Sequence, residues 1–552
     1  MKKRILFLFL LVFAACKKTN VDPPIPSAPF NLTSIVTNGQ NAVRGNNFYN
    51  VNNRPSISLS FSAPIDRNAI ALNIEFAQNP GSSISFDVNY ANNDSTIIIQ
   101  PSTVLKPITK YTLTITPALQ SKQGIKLTVK PIYYLVTAID STEKFPVISD
   151  EALLTLIQKQ TFKYFWDFGH PVSGMARERN TSGDLVTTGG TGFGVMSIIV
   201  GVERNFISRE QGLQRVNLVV DFLKNKASRY HGAFAHWLNG ASGETIPFST
   251  QDNGADLVET SLLMQGLLTA RQYFSGNQAE EILLRNNINS IYDDIDWNWF
   301  QNNQNTLFWH WSPNYQFSIN QQIKGWNECL IAYVLAASST THTISKQIYD
   351  NGWASNGGFK NGSSYYNIKL PLGEPYGGPL FLSQYSFLGI NPTNLSDAYA
   401  DYFNQNQSHS LINYEYCVAN PGQYNGYSSG VWGLTASDDN VKGYLAHSPT
   451  NDDGVISPTA AISAFPYTPK QSLDALHFFY YKLGDKLFKD YGFIDAFNLS
   501  DPWFPNSWLA IDQGPQIVMI ENYRTGLLWN LFMSCPEIKS GMTKLGFQSP
   551  FL

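Results

Sequence analysis

The sequence predicts a mainly α chain: an α/α toroid of about a dozen helices preceded by a small all-β sandwich. Three observations predict it. The hydrophobic period is two between about Phe30 and Ile139, changes to about 3.6 after Asp140-Ser141-Thr142, and stays there. Long loops of Gly, Asn, Trp and Tyr join the helical segments, with no alternating strands between them as a βαβ fold would need. At 552 residues the chain has room for a large core and more than one domain.

Composition narrows the function. Charged residues make up 14% of the chain, well below the roughly 25% of an average soluble protein, and aromatics also reach 14%. The surface is therefore expected to be rich in amides, hydroxyls and rings. With 42 acidic and 38 basic residues the net charge is −4, so no basic stripe exists for counterion-releasing contacts and a nucleic-acid partner is excluded.

In chain order, residues 1–16 read as a lipoprotein signal peptide: Lys2, Lys3 and Arg4, an apolar run from Ile5 to Phe13, then Ala14-Ala15-Cys16. The Cys placement resembles a bacterial lipobox, with Phe13 where Leu is usual, and makes Cys16 the expected lipidation site. An ordinary secretion signal is the alternative; the run is too short to span a bilayer stably. Residues 17–29 form a Pro-rich tether, KKTNVDPPIPSAP. Lys17-Lys18-Thr19-Asn20 lacks acidic residues of a surface-export signal, which favours a periplasm-facing anchor over exposure on the outer membrane. Residues 30–140 carry alternating runs SISLSFS (Ser56–Ser62), STIIIQ (Ser95–Gln100) and YTLTIT (Tyr111–Thr116) between Asn, Gly and Pro clusters, the pattern of a β-sandwich. No acidic or aromatic cluster there suggests catalysis, so this domain reads as a spacer.

The helical domain covers residues 147–552. Ser149 and Asp150 cap a helix to about Phe168, and Ser208 with Gln211 is a capping-box pattern before a helix reaching Lys226. Further helices are expected at about 192–204, 252–274, 278–293, 321–339, 378–388, 394–412, 458–464, 470–483 and 514–531, with Thr468-Pro469 starting one of them.

Several motifs point away from common chemistries. Gly189-Gly190-Thr191-Gly192-Phe193-Gly194 follows no clear strand and lacks the Walker lysine, so a tight turn with close helix entry is the better reading. Asn451-Asp452-Asp453-Gly454 lacks the rest of a calcium loop and reads as a turn. The eight histidines show no paired metal-ligand spacing, and His236, His310 and His447 read as hydrogen-bonded loop histidines; no metal or cofactor is expected. No GxSxG elbow is present. Cys329, Cys417 and Cys535 have no metal-ligand spacing and allow at most one disulfide.

The stretch Asp252–Arg271, DNGADLVETSLLMQGLLTAR, carries the strongest signal. As one helix it places Asp252, Asp256 and Glu259 at i, i+4 and i+7 on one face, without a local cation, while five leucines bury much of the rest. Asp252 could instead be only a cap. Glu328, near the start of the apolar helix in KGWNECLIAYVLAAS, supplies a carboxylate from a second helix. Such a set suits glycoside hydrolysis, one carboxyl protonated to donate to the leaving oxygen and one ionised to activate water. Clustered Trp in polar loops suits stacking on sugar rings.

Around QDNGADLVETSLLMQGLL (Gln251–Leu268) the chain resembles the bacterial glucoamylase-like family that includes glycoside hydrolase family 144. The resemblance extends over residues 148–540 through QKQTFKYFWDF, SGMARERN, TTGGTGFGVM, GWNECL, GGPLFLSQYSFLG and QGPQIVMIENYRTGLLW. LSFSAPIDRNAI (Leu59–Ile70) with Tyr111 and Gly124 is similar to bacterial Ig-like domains. The resemblance implies an (α/α)6 barrel and an inverting hydrolase of β-1,2-glucan, endo-acting and releasing sophorose and short oligosaccharides. Exo-acting release of sophorose from oligosaccharides and a non-catalytic glycan-binding lipoprotein are the alternatives. It also implies catalytic roles for Glu328 as general acid, Asp256 as leading base, and Glu259 and Asp252 in support, with Asp512 and Glu521 as other candidates for the base. Arg177, Arg179, Trp237, Trp311, Tyr376 and Trp432, from the loops, are the expected substrate contacts. A monomer is expected.

Overall fold

Alternation in the N-terminal part becomes paired strands in a computed structural model that describes residues 28–552; the signal peptide, Cys16 and most of the tether lie outside the described residues. The chain divides into two compact units. One takes in the chain up to Ala42, Arg54–Val104 and Tyr111–Tyr134, and the other Val43–Asn53, Leu105–Lys110 and Leu135–Leu552.

In the first unit, β1 (Leu32–Thr37), β2 (Ile57–Phe61), β3 (Ile74–Gln78), β4 (Phe86–Ala91), β5 (Thr96–Pro101) and β6 (Lys110–Ile115) are antiparallel pairs. One sheet runs β1-β2-β5-β4, with Thr37 opposite Ile57 and Ile57 opposite Ile99. β3 pairs with β6 from Ile74↔Ile115 to Gln78↔Tyr111. Ile57, Leu59 and Phe61 are buried and alternate with Ser58 and Ser60, so the period read from the sequence is the period of burial.

The second unit alternates two kinds of helix. α1 (Asp150–Trp166), α2 (Thr188–Glu203), α3 (Arg209–Asn225), α4 (Leu257–Tyr273), α5 (Ala279–Asp293), α6 (Leu330–Ser338), α7 (Tyr402–Ala419), α8 (Pro458–Ser463), α9 (Pro469–His477) and α10 (Ala510–Thr525) follow in chain order. α2 is buried from Thr188 to Val202, α4 from Leu257 to Ala270, and α6 and α8 throughout. α1, α3, α5 and α9 between them keep an exposed polar face. A helix apolar all round must be enclosed and an amphipathic one must cover it. This alternation is the inner and outer ring of an (α/α)6 barrel.

Local signals act as read at several starts. The Ser149 hydroxyl accepts from Ala152 N–H, and the Ser208–Gln211 capping box is complete. Several expected helices differ; the one expected at 394–412 runs instead over Tyr402–Ala419. The segment at 321–339 becomes helical only at Leu330, and 378–388 forms two 3-10 turns, Leu380–Ser383 and Ser386–Leu388. The last begins at Ala510, so Pro515 lies inside it, and it stops at Gly526 with φ 70°, a left-handed C-cap.

The glycine-rich run opens α2 against α4. A Cβ on Gly192 would lie 2.2 Å from the Leu262 carbonyl oxygen, and one on Gly266 2.1 Å from that of Gly192. The two inner helices touch backbone to backbone, which accounts for the motif without any phosphate. Asn451–Gly454 is a turn whose Asp452 carboxylate accepts from Tyr416 (3.0 Å) and Tyr427 (2.7 Å). Cys329, Cys417 and Cys535 are buried free thiols. Among the described residues no helix is long and apolar enough to cross a membrane.

Candidate active site

The N-terminal ends of the inner helices supply the carboxylates, and the helix through Asp252 is not what brings them together. α4 begins at Leu257, so Asp252 stands outside it, Asp256 is its N-cap, and only Glu259 is a helical residue. The i, i+4, i+7 face expected from the sequence is corrected accordingly. Residues Ala255–Asp256 form a short strand (β7) paired with His310–Trp311 (β8), Asp256 opposite His310. The two carboxylates meet at one imidazole, Asp252 at 3.3 Å and Asp256 at 3.7 Å from His310 Nε2.

Asp256 is fully buried and every lone pair has a partner. Oδ1 accepts from Val258 and Glu259 N–H, both at 2.9 Å, and Oδ2 from His236 Nδ1 at 3.0 Å and Trp309 Nε1 at 3.3 Å. Burial pushes this carboxyl up, but the His236 hydrogen bond, the His310 and His236 charges and the helix N-terminus outweigh it, leaving it below its ordinary range. Asp256 is a fixed anion.

Glu259 is one turn away and 7% exposed. Its Oε2 accepts from Gly189 N–H at 2.7 Å and Thr187 Oγ1 at 3.3 Å; a Cβ on Gly189 would lie 2.7 Å from that oxygen. Among the described residues Oε1 accepts no hydrogen bond, and His236 Nε2 lies 4.0 Å from it. Burial raises the Glu259 carboxyl, with the Asp256 charge adding to the rise and His236 opposing it. Asp252 is raised by burial and by Asp256, and lies 3.3 Å from His310 Nε2.

The local cation that the sequence reading lacked is His236. Burial pulls its imidazole down, but Glu259 and Asp256 together carry it to about 9. A ring held protonated between two carboxylates is a donor at both nitrogens. His236, Asp252 and Asp256 each bring one potential ligand atom within 4.8 Å of the others, yet a metal there would have to displace that proton.

Glu328 precedes α6 and its carbonyl accepts from Ser386 Oγ. Burial, with the Asp256 and Glu259 charges adding to it, moves its carboxyl up to about 7. Below pH 7 it retains a proton while Asp256 does not, the division a general acid and its anionic partners require.

A second acidic group includes Asp495 and Asp512, the latter in the first turn of α10. Burial and the Asp495 charge hold Asp512 well above the carboxylate range, and burial with Asp438 raises Asp495 to about 7. Glu521 is clamped by Arg204 at 2.7 and 2.8 Å and by Gln158, which makes it a strut between helices.

The expected substrate contacts separate sharply. Trp237 is partly exposed beside the carboxylates, its ring 5.6 Å from His236. Arg179 is paired with Glu178 at 2.9 Å and Asp438 at 3.1 Å, next to the second acidic group. Arg177 donates at 2.6 Å to both Gly183 O and Phe168 O and lies over the Phe168 ring, so it braces its own loop. Tyr376 packs on Tyr365 at 4.3 Å. Trp432 is corrected outright: it is fully buried and donates to Gln471 O, so it is core. Trp311 follows His310 in β8, and successive side chains of a strand face opposite ways. It packs against Tyr230, His231 and Trp299, away from the carboxylates.

Sequence reasoning passed over Phe248, whose ring is 50% exposed and lies 4.4 Å from His236 and 4.7 Å from Trp237. An apolar ring left in water beside buried acids was the available signal, but it requires the exposure to be known.

Fold and site together define the class, an (α/α)6 barrel of the glycoside hydrolase type. The model of the family described as "Putative glucoamylase" matches residues 320–536, and that of the bacterial Ig-like domain matches 32–133. An exo β-1,2-glucooligosaccharide sophorohydrolase (non-reducing end) of Parabacteroides distasonis is 42% identical over 452 residues, 75% of this chain; the chain spans 62% of that relative's length. A solved Bacteroides uniformis protein of the same glucoamylase description is 54% identical, covering 74% of this chain and 100% of its own, with TM-score 0.73. An endo-β-1,2-glucanase from Chitinophaga pinensis, solved with sophorotriose and glucose, is 50% identical with the same coverage and TM-score 0.72. The chain belongs to the bacterial glucoamylase-like family, the group of glycoside hydrolase family 144, and carries a bacterial Ig-like domain ahead of its barrel.

Proposed function

We propose that this chain hydrolyses β-1,2-glucan with inversion, cutting within the polymer to release sophorose and short oligosaccharides. The observation that carries the reading is the opposition of a protonated Glu328 to an ionised Asp256 beside the protonated His236. Glu328 donates its proton to the glycosidic oxygen as the bond to the anomeric carbon breaks. A water on the opposite face of the ring loses a proton to a carboxylate and attacks that carbon. Glu259 suits that second role better than Asp256, because a base needs an accessible lone pair and Asp256 has none to spare. Asp256 and the N-terminus of α4 then orient His236 and fix its charge. Trp237 and Phe248 offer the apolar faces on which a glucose ring can stack.

The endo reading is supported by the Chitinophaga pinensis enzyme, of which the whole length is covered. Exo release of sophorose is the second reading, favoured by the Parabacteroides distasonis relative. Early products from linear β-1,2-glucan decide between them: a ladder of fragments supports endo action, uniform disaccharide supports exo action, and anomeric NMR showing retained configuration would overturn the mechanism. We further propose that the chain is anchored in the bacterial envelope through lipid on Cys16, facing the periplasm or held at the outer membrane, and acts as a monomer; labelling with a palmitate analogue, lost in Cys16→Ala, tests the anchor.

A further inference from the structure

The strand that carries His310 into the active site carries Trp311 out of it, and behind Trp311 the barrel opens a second depression of about 520 Å³. That volume lies within the roughly 300–1,000 Å³ of small-ligand clefts. Its floor is Trp299, 41% exposed, a large apolar area to leave in water. The ring is held in place: His231 stacks on it at 3.9 Å with 14° between the planes, and Trp311 meets both in edge contacts at 4.7 and 6.5 Å. Phe317 stands across the depression, 6.5 Å away.

The rim is as specific as the floor. Asn302, Asn303 and Gln316 all lie on left-handed backbone, φ 47°, 56° and 57°, in turns closed by Asn302 N–H to Trp299 O and a reciprocal Ser312–Gln316 pair. Short turns of this kind fix the backbone from which the three side chains leave. Asp296 adds one carboxylate, and no Lys or Arg lines the depression, so nothing there suits a phosphate or an acidic peptide. Amides that both donate and accept, one anionic acceptor and a rigid ring match a neutral polyol with an apolar face, which is a pyranose ring.

We propose that Trp299, with the amides of Asn302, Asn303 and Gln316, forms a second carbohydrate-binding platform, separate from the catalytic cavity, that holds a distal stretch of the glucan chain. The choice of glucan rests on the proposed function. Holding the polymer at two places raises its effective concentration at the cleft and does nothing for an oligosaccharide too short to span both.

The test uses the full chain with Glu328→Gln as a common background, so that polymer is not consumed, in gels containing linear β-1,2-glucan. Trp299→Ala is expected to weaken retardation about three- to tenfold, and Asn303→Ala with Gln316→Ala, both exposed, to weaken it in the same direction. With Glu328 intact, Trp299→Ala is expected to keep kcat/KM on a short β-1,2-oligosaccharide within about twofold of the parent while losing rate on dilute polymer. Unchanged retardation in both variants, or an equal loss on short and long substrates, overturns the platform. If the parent chain releases nothing from β-1,2-glucan, the functional reading fails instead. The platform then stands only if another glucan is retarded in a Trp299-dependent way.

Discussion

His236 Nδ1 lies 3.0 Å from Asp256 Oδ2, and its other nitrogen 4.0 Å from Glu259 Oε1, so one imidazolium joins the two acids of α4. Removing it leaves a fully buried carboxylate without its cation, a change that costs about 3–5 kcal/mol in comparable sites. His236→Ala is expected to lower kcat about 10²- to 10³-fold and to lower the unfolding midpoint. The linkage has a definite sign. A histidine raised from 6.5 to about 9 contributes stability that is complete below pH 6.5 and lost as pH rises through 9. Wild-type stability is therefore expected to fall over that window and the variant's to lack that fall, which urea unfolding at pH 6, 7.5 and 9 measures.

The sequence singled out the acids more readily than how they meet. Inner helices were legible because TGGTGFGVMSIIV and LIAYVLAA are apolar on every side, and the β domain because ISLSF alternates. The start of α4 was not. Asp252-Asn253-Gly254-Ala255-Asp256 fits a helical period, but its last two residues pair as a strand with His310–Trp311, a contact between segments more than fifty residues apart. His236 read only as a hydrogen-bonded loop histidine for the same reason: its charge depends on Asp256 and Glu259, which no local pattern places beside it. Trp432 and Phe248 exchanged expectations because a loop-like sequence context does not report burial.

Glu328, moved up to about 7, sets the alkaline limb of catalysis. As the acid it must be protonated, so kcat/KM is expected to fall as pH rises through about 7. The base must be ionised, so activity falls again on the acid side, at a pH above the ordinary glutamate value because Glu259 is itself raised. Glu328→Gln removes the proton donor and should abolish release from β-1,2-glucan. It should also stabilise the fold at alkaline pH, since the wild type loses stability between pH 4.5 and about 7, where the unfolded chain's carboxyl ionises and the buried one does not. With partial exposure of the carboxyl to the cleft, a gain of about 2 kcal/mol at pH 8 is expected, against little at pH 4. Parallel unfolding curves of variant and parent at those two pH values check it.

The backbone contact of α2 with α4 leaves no room for a methyl group at Gly266, 2.1 Å from the Gly192 carbonyl oxygen. Both atoms belong to buried helices and neither can swing aside. Gly266→Ala is expected to destabilise by about 3 kcal/mol or more although alanine is the better helix former. Because α2 carries the Gly189 N–H that holds Glu259, the variant should lose activity even below its unfolding temperature. Calorimetry with kcat measured at 15 °C below the midpoint separates the two effects.

Trp432 and Phe248 make a matched pair of aromatic deletions with opposite consequences. Trp432, fully enclosed and hydrogen-bonded to Gln471 O, sits in the core beside Tyr414 at 5.6 Å. Trp432→Ala is expected to cost about 3–5 kcal/mol of stability and to leave KM of the surviving folded fraction unchanged. Phe248 is half-exposed against His236 and Trp237, so its deletion opens no cavity and stability should move by less than about 1 kcal/mol. Phe248→Ala should instead raise KM on β-1,2-oligosaccharides about three- to tenfold, the share expected of one sugar-stacking ring. Thermal melts and initial rates on both variants test the distinction; a Phe248→Ala protein that keeps the parent KM would remove that ring from the substrate path.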